Sequence, residues 1–208
     1  MVYFMGNNTS IFYRRKLFLG GYMPPKVKIT KDEIVTVTLD LLRREGEDAM
    51  NARSIASALG CSTQPVFSNF ASMDELQYAV LNAAYKFYHG FLMREVASGA
   101  YPPYKAYGMA YIRFAREERQ LFKVLFMCDR KGQPLLPSDD FSESVDMIMQ
   151  ANGISREQAE LLHMEMWSCV HGIGTMLATS FLELDDDLIS RMISDIYQGL
   201  IVRHAATQ

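Results

Sequence analysis

Residues 51–76 read NARSIASALGCSTQPVFSNFASMDEL, and their pattern predicts two short helices joined by a tight turn, followed by the start of a third helix. The first short helix has one apolar face, formed by Ile55, Ala56 and Leu59. Gly60 follows it and supplies the backbone freedom that a sharp helix exit needs. This stretch therefore decides the expected fold of the N-terminal part of the chain.

The second short helix is bounded by residues that commonly begin helices. Ser62 or Thr63 is expected to cap it, and Pro65 fits its first turn. Ser72 is expected to cap the third helix, with Glu75 three residues later as the other half of a capping box. The expected buried side of the second helix consists of Val66, Phe67 and Phe70. Helix, glycine turn and helix is the arrangement of a helix-turn-helix, whose second helix enters the DNA major groove.

The polar residues of the second helix are the candidates for DNA contact. Gln64 has the best chemistry for reading a base, because its amide matches the adenine edge with two hydrogen bonds. Thr63 suits a thymine methyl or a phosphate, whereas Ser62 and Asn69 are better placed for backbone contacts. The alternative is an ordinary solvated polar face. The predicted DNA-contacting residues are Lys28, Lys31 and Arg53, as phosphate partners, together with Ser62, Thr63, Gln64, Pro65, Phe67, Ser68 and Asn69.

From Ile29 to about Val80 the chain resembles the DNA-binding domain of TetR-type transcriptional repressors. The family usually has an aromatic pair and a lysine where this chain has Ser68-Asn69 and Met73, so the phosphate contacts of those groups are not implied here. A second stretch, Trp167 to Gly172 (WSCVHG), is similar to the W-x-x-x-H-G signature of one class of TetR C-terminal domains. The pieces that match the DNA-binding domain are the first helix (Lys31 to Glu45), Gly46, Ser54-Ile55-Ala56, Leu59-Gly60-Cys61-Ser62, Val66-Phe67-Ser68-Asn69-Phe70 and Asp74-Glu75-Leu76.

Composition excludes several classes of protein. At 208 residues the chain is long enough to bury a proper core, and no uninterrupted apolar run reaches the roughly 20 residues of a membrane helix. The net charge is −3, and Lys and Arg are matched by Asp and Glu from Met23 to Ser72, so the expected DNA binding depends on local geometry. The three cysteines lie far apart with no C-x-x-C pair. They predict a reducing cytoplasm, with no disulfide framework and no zinc site. No cofactor and no other metal site is predicted.

Residues 1–22 form an N-terminal extension in our prediction. Their apolar region, Ile11 to Leu19, is too short for a secretory signal and is interrupted by three charges. The stretch Leu19 to Tyr22 back-translates to a purine-rich GGAGGA followed by a short spacer, the pattern of a ribosome-binding site ahead of Met23. We therefore expect translation to start at Met23. The rival interpretation is a basic arm that touches DNA through Arg14, Arg15 and Lys16.

Helical periodicity dominates the chain and sustained alternation for strands is missing, so we predict an all-α fold of about nine helices. Residues 23–72 are assigned to the helix-turn-helix DNA-binding domain, and residues 73–208 to a helical effector-binding and dimerisation domain. A long helix from Met73 to about Val96 joins the two, and another is expected from Ser155 to about Phe181. Leu76, Val80, Ala83 and Phe87 are expected to share one face of the first long helix.

The C-terminal part is rich in aromatic residues and in methionine, of which the chain has 14. Such soft side chains suit apolar ligands, and the family resemblance implies a ligand pocket, although ordinary core is the alternative. His163, Trp167 and His171 share one helix stripe, which we interpret as a half-polar packing seam rather than as metal ligands; the resemblance adds a role in shaping the pocket. The predicted ligand-binding residues are Tyr107, Tyr111, Phe114, Phe126, Met127, Met147, His163, Met166, Trp167, Val170, His171 and Gly174.

The final helix is apolar around much of its girth. One flank is expected to face its own chain and the other a second copy, because the stripe is wider than one-sided packing needs. Gly172, Gly174 and Ala178 on the preceding helix are expected to allow close helix approach, which predicts a four-helix dimer interface. The alternative is a buried helix in a monomer. The stripe consists of Leu188, Ile189, Met192, Ile193, Ile196, Tyr197, Leu200 and Ile201.

The residues and the resemblance together predict a ligand-responsive transcriptional repressor. It would bind a palindromic operator in double-stranded DNA as a homodimer and be released by a small lipophilic effector. The rival is an all-helical small-molecule-binding protein or enzyme that uses His163, His171 and Glu165 without operator binding. No paired carboxylates, activated nucleophile or glycine-rich phosphate loop is recognisable in the sequence, which counts against an enzyme. A third option is a chain that lost operator binding and kept its dimer contacts.

Overall fold

The computed structural model describes residues 29–128 and 139–205, and at residues 139, 140 and 205 it describes the backbone only. Within these ranges the chain is all-α, with nine α-helices and no strand, as predicted. No helix in them combines the length and apolarity needed to cross a bilayer. The N-terminal extension, with the predicted start at Met23, lies outside the described residues. The helices are α1 (Lys31–Glu45), α2 (Ala52–Ala58), α3 (Gln64–Asn69), α4 (Met73–Ala97), α5 (Pro103–Glu117), α6 (Arg119–Phe126), α7 (Asp139–Asn152), α8 (Arg156–Ala178) and α9 (Asp186–Ala205).

Helices α1 to α3 form a small three-helix head. α1 begins at a capping box, in which Thr30 Oγ1 accepts from the Glu33 N–H at 3.2 Å and Glu33 Oε2 accepts from the Thr30 N–H at 2.8 Å. It ends at Gly46, whose φ of +85° is left-handed and whose N–H donates to the Leu42 carbonyl. The buried centre of the head consists of Ile34, Leu41, Leu42, Ile55, Val66 and Phe70.

The helix-turn-helix forms where the sequence predicts it, with two local differences. Gly60 makes the turn at a φ of +64°, and Pro65 lies in the first turn of α3. Thr63 occupies the cap position but makes no capping hydrogen bond, because its backbone is helical (φ −71°, ψ −12°) instead of extended. Phe67 was expected to be buried and is 57% exposed, because the six residues of α3 turn Val66 inward and Phe67 outward.

The long helix α4 connects the head to the C-terminal helices. Ser72 Oγ caps it by accepting from the Glu75 N–H at 3.2 Å, while the Glu75 carboxylate accepts from the Ala71 N–H at 2.7 Å instead of completing the predicted box. Of the four residues predicted to share a face, Leu76 and Val80 are fully buried, whereas Ala83 and Phe87 are half-buried. Burial continues instead at every fourth residue, because α4 passes from its contact with α1 to its contact with α5. The observed face consists of Leu76, Val80, Ala84, Tyr88 and Leu92.

α5 is the centre of the C-terminal bundle and packs against α4, α6, α7, α8 and α9. Arg113 of α5 bonds Glu95 of α4 and Asp186 of α9, and Arg116 bonds Asp186 at 2.7 Å. Burial by itself raises the pKa of Asp186, but hydrogen bonds from Arg116 and Arg113 outweigh it and hold that pKa below its usual value. These ion pairs therefore fix the far end of α4 and the start of α9 to α5.

α8 begins at the predicted cap and ends earlier than predicted. Ser155 and Gln158 form a reciprocal capping box at its start. At its other end Ser180 adopts a left-handed φ of +57°, and its N–H donates to the Leu177 carbonyl. The helix therefore stops at Ala178, and Phe181 lies outside it on the surface.

Candidate functional site

Three of the predicted DNA-contacting residues of α3, Gln64, Phe67 and Ser68, are exposed on the head. Val66 and Phe70 anchor the helix in the core, which turns the side chains between them towards solvent. Gln64 is exposed, and its side chain makes no hydrogen bond with any described residue. Of the other predicted residues, Ser62, Phe67 and Ser68 are exposed, and Thr63, Pro65 and Asn69 are half-buried.

The side-chain amide of Asn69 is hydrogen-bonded within the protein. Its amide Nδ2 donates to the Pro65 carbonyl at 2.8 Å and to the Ile29 carbonyl at 3.2 Å, so both amide hydrogens are engaged. Ser68 Oγ likewise donates to the Pro65 carbonyl at 3.2 Å. These bonds tie α3 to the start of α1 and leave Gln64 as the side chain whose amide is available.

The predicted phosphate partners differ in their surroundings. Lys31 Nζ lies 2.8 Å from Glu75 Oε1 and 4.8 Å from the centre of the Phe70 ring. Arg53 is exposed and forms no ion pair within the described ranges. Lys28 lies outside the described residues. Because the Lys31–Glu75 pair is exposed on both sides, it is weak and competes little with a phosphate.

A cavity of about 1210 Å³ lies among helices α4 to α9 of the C-terminal part. Nearly half of the described wall residues are aromatic or contain sulfur, a composition that suits an apolar ligand. Helices α4 and α9 contribute Tyr85, Tyr88 and Tyr197. The predicted ligand-binding residues that lie on the wall are Tyr107, Tyr111, Phe126, Met147, His163, Met166, Trp167 and Val170.

Four predicted ligand-binding residues lie off the wall. Phe114 is fully buried against the rings of Tyr88 and Phe91, and Met127 is on the surface. His171 stacks between the rings of Trp167 and Phe122. A β-carbon added at Gly174 would lie only 3.1 Å from Phe122 Cζ. The helical period carries Gly174 round to α6, so this glycine lets α6 approach α8 within one chain.

Two tyrosine–histidine pairs supply polar groups beside the cavity. Tyr104 OH lies 3.1 Å from His163 Nδ1, and Tyr111 OH lies 2.8 Å from His171 Nδ1. Burial lowers the pKa of both histidines and raises the pKa of both tyrosines. Both pairs are therefore neutral near pH 7 and offer hydrogen bonds without a charge.

Residues 104–196 match the family model described as the tetracyclin repressor-like C-terminal domain. The C-terminal part of the chain is therefore a TetR-type domain. The matched segment runs from the first turn of α5 to the middle of α9 and so contains most of the cavity wall. No curated protein shows significant similarity to the chain.

Sequence reasoning missed further residues of the cavity wall, including some on α4, α5 and α9. Tyr85, Tyr88 and Leu92 recur at i, i+3 and i+7 on α4, a spacing that signals one helix face. Lys105 and Ser194 lie on the wall as well, and Lys105 Nζ donates to Ser194 Oγ at 2.8 Å. No pattern within either helix reveals that α5 and α9 bring these two side chains together.

Glu165, the acidic residue of the rival enzyme interpretation, is engaged elsewhere. Its carboxylate bonds Arg203 Nη1 at 3.0 Å and His204 Nε2 at 2.9 Å, both on α9. His163 and His171 contact tyrosines instead. In the part of the chain that the structure describes, these three residues therefore form no common site, and no group of His, Cys, Asp or Glu has the arrangement of a metal site.

The outer face of α8 carries apolar side chains that nothing in the described chain covers. Leu161 is 50% exposed, Met164 is 47% exposed and also lies on the cavity wall, and Gly172 faces open space. Ile193 of α9 is different, because it is 3% exposed and packs towards Gly108 of α5. On α9, the flank expected to face its own chain therefore includes Ile189 and Ile193.

The head touches the C-terminal bundle at the junction of α5 and α6. Arg43 of α1 donates twice to Glu118, from Nε to Oε2 at 3.0 Å and from Nη2 to Oε1 at 2.5 Å. Its guanidinium also lies 4.5 Å from the centre of the Phe87 ring of α4. Since α6 continues from this junction to Phe126 on the cavity wall, one rigid element connects the wall to the head.

Proposed function

We propose that the chain is a ligand-responsive transcriptional repressor, acting in the cytoplasm as a homodimer on a palindromic operator and released by a small lipophilic effector. The match of residues 104–196 to a TetR-type C-terminal domain supports regulation by a ligand. The observation that carries the proposal is the connection from the cavity wall through α6 and Arg43–Glu118 to an outward reading helix.

Operator reading is assigned to α3. Gln64 is exposed with its amide unengaged, so it is available to an adenine edge in the major groove. Thr63 and Phe67 flank it with apolar groups that suit a thymine methyl. Lys31 and Arg53 supply positive charge at the edges of the head, where phosphates would lie.

Dimerisation is assigned to the outer faces of α8 and α9. Leu161, Met164, Ser168 and Gly172 recur at spacings of three and four, so they form one continuous stripe on α8. Exposed apolar area of this kind is typical of an interaction surface, and Gly172 permits a close approach of a second helix. Two heads joined in this way would meet two half-sites about one helical turn of DNA apart, or a multiple of it.

Release follows from the geometry of α6. A ligand in the cavity contacts Phe126 and displaces α6, which moves Glu118 and with it Arg43 of the head. The effector then favours a head angle that no longer matches the operator. The loss of operator affinity is limited by the difference between the effector's affinities for the two conformations.

The test is a titration of fluorescently labelled DNA from the region flanking the chain's own gene. Anisotropy should rise saturably with protein, and a lipophilic compound that quenches Trp167 should release the DNA over the same concentration range. DNA should in turn weaken binding of the compound by the same factor. A chain that binds lipophilic compounds and no DNA would instead be the rival small-molecule-binding protein.

A further inference from the structure

Among the described residues of the cavity wall, Lys105 is the one cation, and no described carboxylate pairs with it. Lys105 Nζ donates to Ser194 Oγ at 2.8 Å and lies 5.2 Å from the centre of the Tyr101 ring. The Ser194 hydroxyl donates to the Ser190 carbonyl at 2.8 Å, so its lone pairs are the part that meets the ammonium. An ammonium has three hydrogens, and this arrangement leaves at least one of them for a ligand.

A second donor lies one helical turn from Ser194. Tyr197 OH accepts from Asn152 Nδ2 at 2.6 Å, and Asn152 Nδ2 also donates to the Ile148 carbonyl at 2.8 Å. The hydroxyl hydrogen of Tyr197 has no acceptor among the described residues, so it is available to the cavity, whose wall includes both Tyr197 and Asn152. The two donors, Lys105 and Tyr197, define the polar end of the cavity.

Further along α5, around Tyr111, the described wall is aromatic and uncharged. The rings of Tyr88, Tyr111 and Phe126 lie 5.0 to 6.2 Å apart, and Leu92 and Val170 beside them are almost fully buried. The described wall carries no aspartate or glutamate. The described wall therefore has a cation at Lys105 and an uncharged, largely apolar surface around Tyr111.

We propose that the ligand of this cavity is a lipophilic monocarboxylate, whose carboxylate binds Lys105 and Tyr197 and whose tail lies among the aromatic rings. A carboxylate gains charge-assisted hydrogen bonds from both donors, whereas an alcohol gains only neutral ones. A cationic amphiphile meets Lys105 with like charge. The consequence for gene regulation rests on the proposed function; the choice of ligand class does not.

Isothermal titration calorimetry on the full chain, without DNA, tests this class directly. The probes are decanoate, decanol and decyltrimethylammonium, and for a ring-shaped tail 4-butylbenzoate and 4-butylbenzyl alcohol, all below their critical micelle concentrations. Each carboxylate should bind at least about tenfold more tightly than its alcohol, and the ammonium most weakly. Which of the two carboxylates binds more tightly identifies the tail. Equal affinity for acid and alcohol in both pairs would overturn the proposal.

Two variants locate the carboxylate. Lys105→Met keeps the apolar stem and removes the charge; it should lower decanoate affinity about tenfold or more and change decanol affinity less than about twofold. Tyr197→Phe should produce a smaller loss of the same selectivity. Lys86→Met is the matched control, since Lys86 is an exposed lysine of α4 away from the wall, and it should leave all affinities unchanged.

The outcomes separate this inference from the proposed function. If Lys105→Met fails to fold, as judged by its thermal melt, the probe series on the natural chain and Tyr197→Phe still decide. A folded Lys105→Met that retains the preference for decanoate contradicts the assignment of the carboxylate. Carboxylate selectivity without release of operator DNA would contradict the proposed function alone, whereas release by alcohol and acid at equal concentrations would contradict the inference alone.

Discussion

The DNA-reading surface proposed for α3 and the cavity wall differ in how many helices form them. The surface of α3 comes from a single helix of six residues, whose two anchors fix where its other side chains point. The cavity wall combines side chains from α4 to α9, between Tyr85 and Gln198. A local motif therefore specifies the first site almost completely, whereas the second exists only after distant helices have packed.

The largest effect should come from charging the buried flank of α9. Ile193→Asp places a carboxylate where Ile193 is 3% exposed, and an unpaired buried charge costs about 3–5 kcal/mol. We expect urea denaturation, followed by Trp167 fluorescence, to report a loss of that size in the free energy of unfolding. Gln198→Asp on the exposed side of α9 is the control, expected within about 0.5 kcal/mol of the natural chain. A stable Ile193→Asp chain would contradict the packing of α9 on α5.

The next effect separates the dimer face from that core. Leu161→Asp adds a charge on the exposed stripe of α8, so the folded monomer should survive while the dimer dissociates. Operator affinity should fall about 100-fold, because linked heads gain at least that much from binding together. Light scattering measures the mass, and anisotropy measures the affinity. Leu182→Asp, at an exposed leucine beyond the end of α8, should do neither; a dimeric Leu161→Asp would move the interface elsewhere.

A smaller and more specific effect should come from the reading helix. Gln64→Ala should cost about 1–3 kcal/mol on the preferred operator and relax the preference at one base position. Lys31→Ala should instead weaken all sequences alike, because phosphate contacts carry no sequence information. Selection of binding sites from random DNA with both variants distinguishes the two effects. An unchanged site preference for Gln64→Ala would assign base reading to another residue.

These contrasts show which features can be predicted from the sequence. It predicted the helix-turn-helix, the cap at Ser72 and the turn at Gly60, because each depends on residues a few positions apart. It misjudged Phe67, since apolar spacing in a helix of six residues does not separate an inward from an outward aromatic ring.

The cavity was harder to predict for the same reason. Burial alone does not distinguish a wall residue such as Tyr111 from a core residue such as Phe114, one turn further along α5. Gly174 looked like part of a pocket and instead accommodates the Phe122 ring. Lys105 meets Ser194 only because α9 folds back onto α5, a packing that no pattern within either helix encodes.

The contact between the two regions should carry about 1 kcal/mol of coupling or more. Arg43→Met removes both hydrogen bonds to Glu118 and keeps an apolar side chain against Phe87. Effector affinity of the free chain should stay within about twofold, since Arg43 is not on the cavity wall, while the factor by which DNA weakens effector binding should approach one. The neighbouring Arg44→Met is the control, because Arg44 is exposed and lies away from Glu118. Undiminished coupling in Arg43→Met would mean that α4 alone connects the two sites.

The smallest expected effect is a loss of stability at acidic pH. It should originate in the cavity region, because residues 29–72 contain no histidine. Burial lowers the pKa of His163 and of His171, so below a pH of about 6.5 the unfolded chain binds more protons at these rings than the folded chain. The free energy of unfolding should therefore fall as the pH drops from 7.5 to 5.5, by less than about 1 kcal/mol for each ring, since both retain some contact with water. His163→Gln keeps a neutral partner for Tyr104 at every pH and should flatten this slope in thermal melts. His89→Gln, at an exposed histidine of α4, should leave the slope as it is. An equal slope in His163→Gln and in the natural chain would place the pH dependence outside the Tyr104–His163 pair.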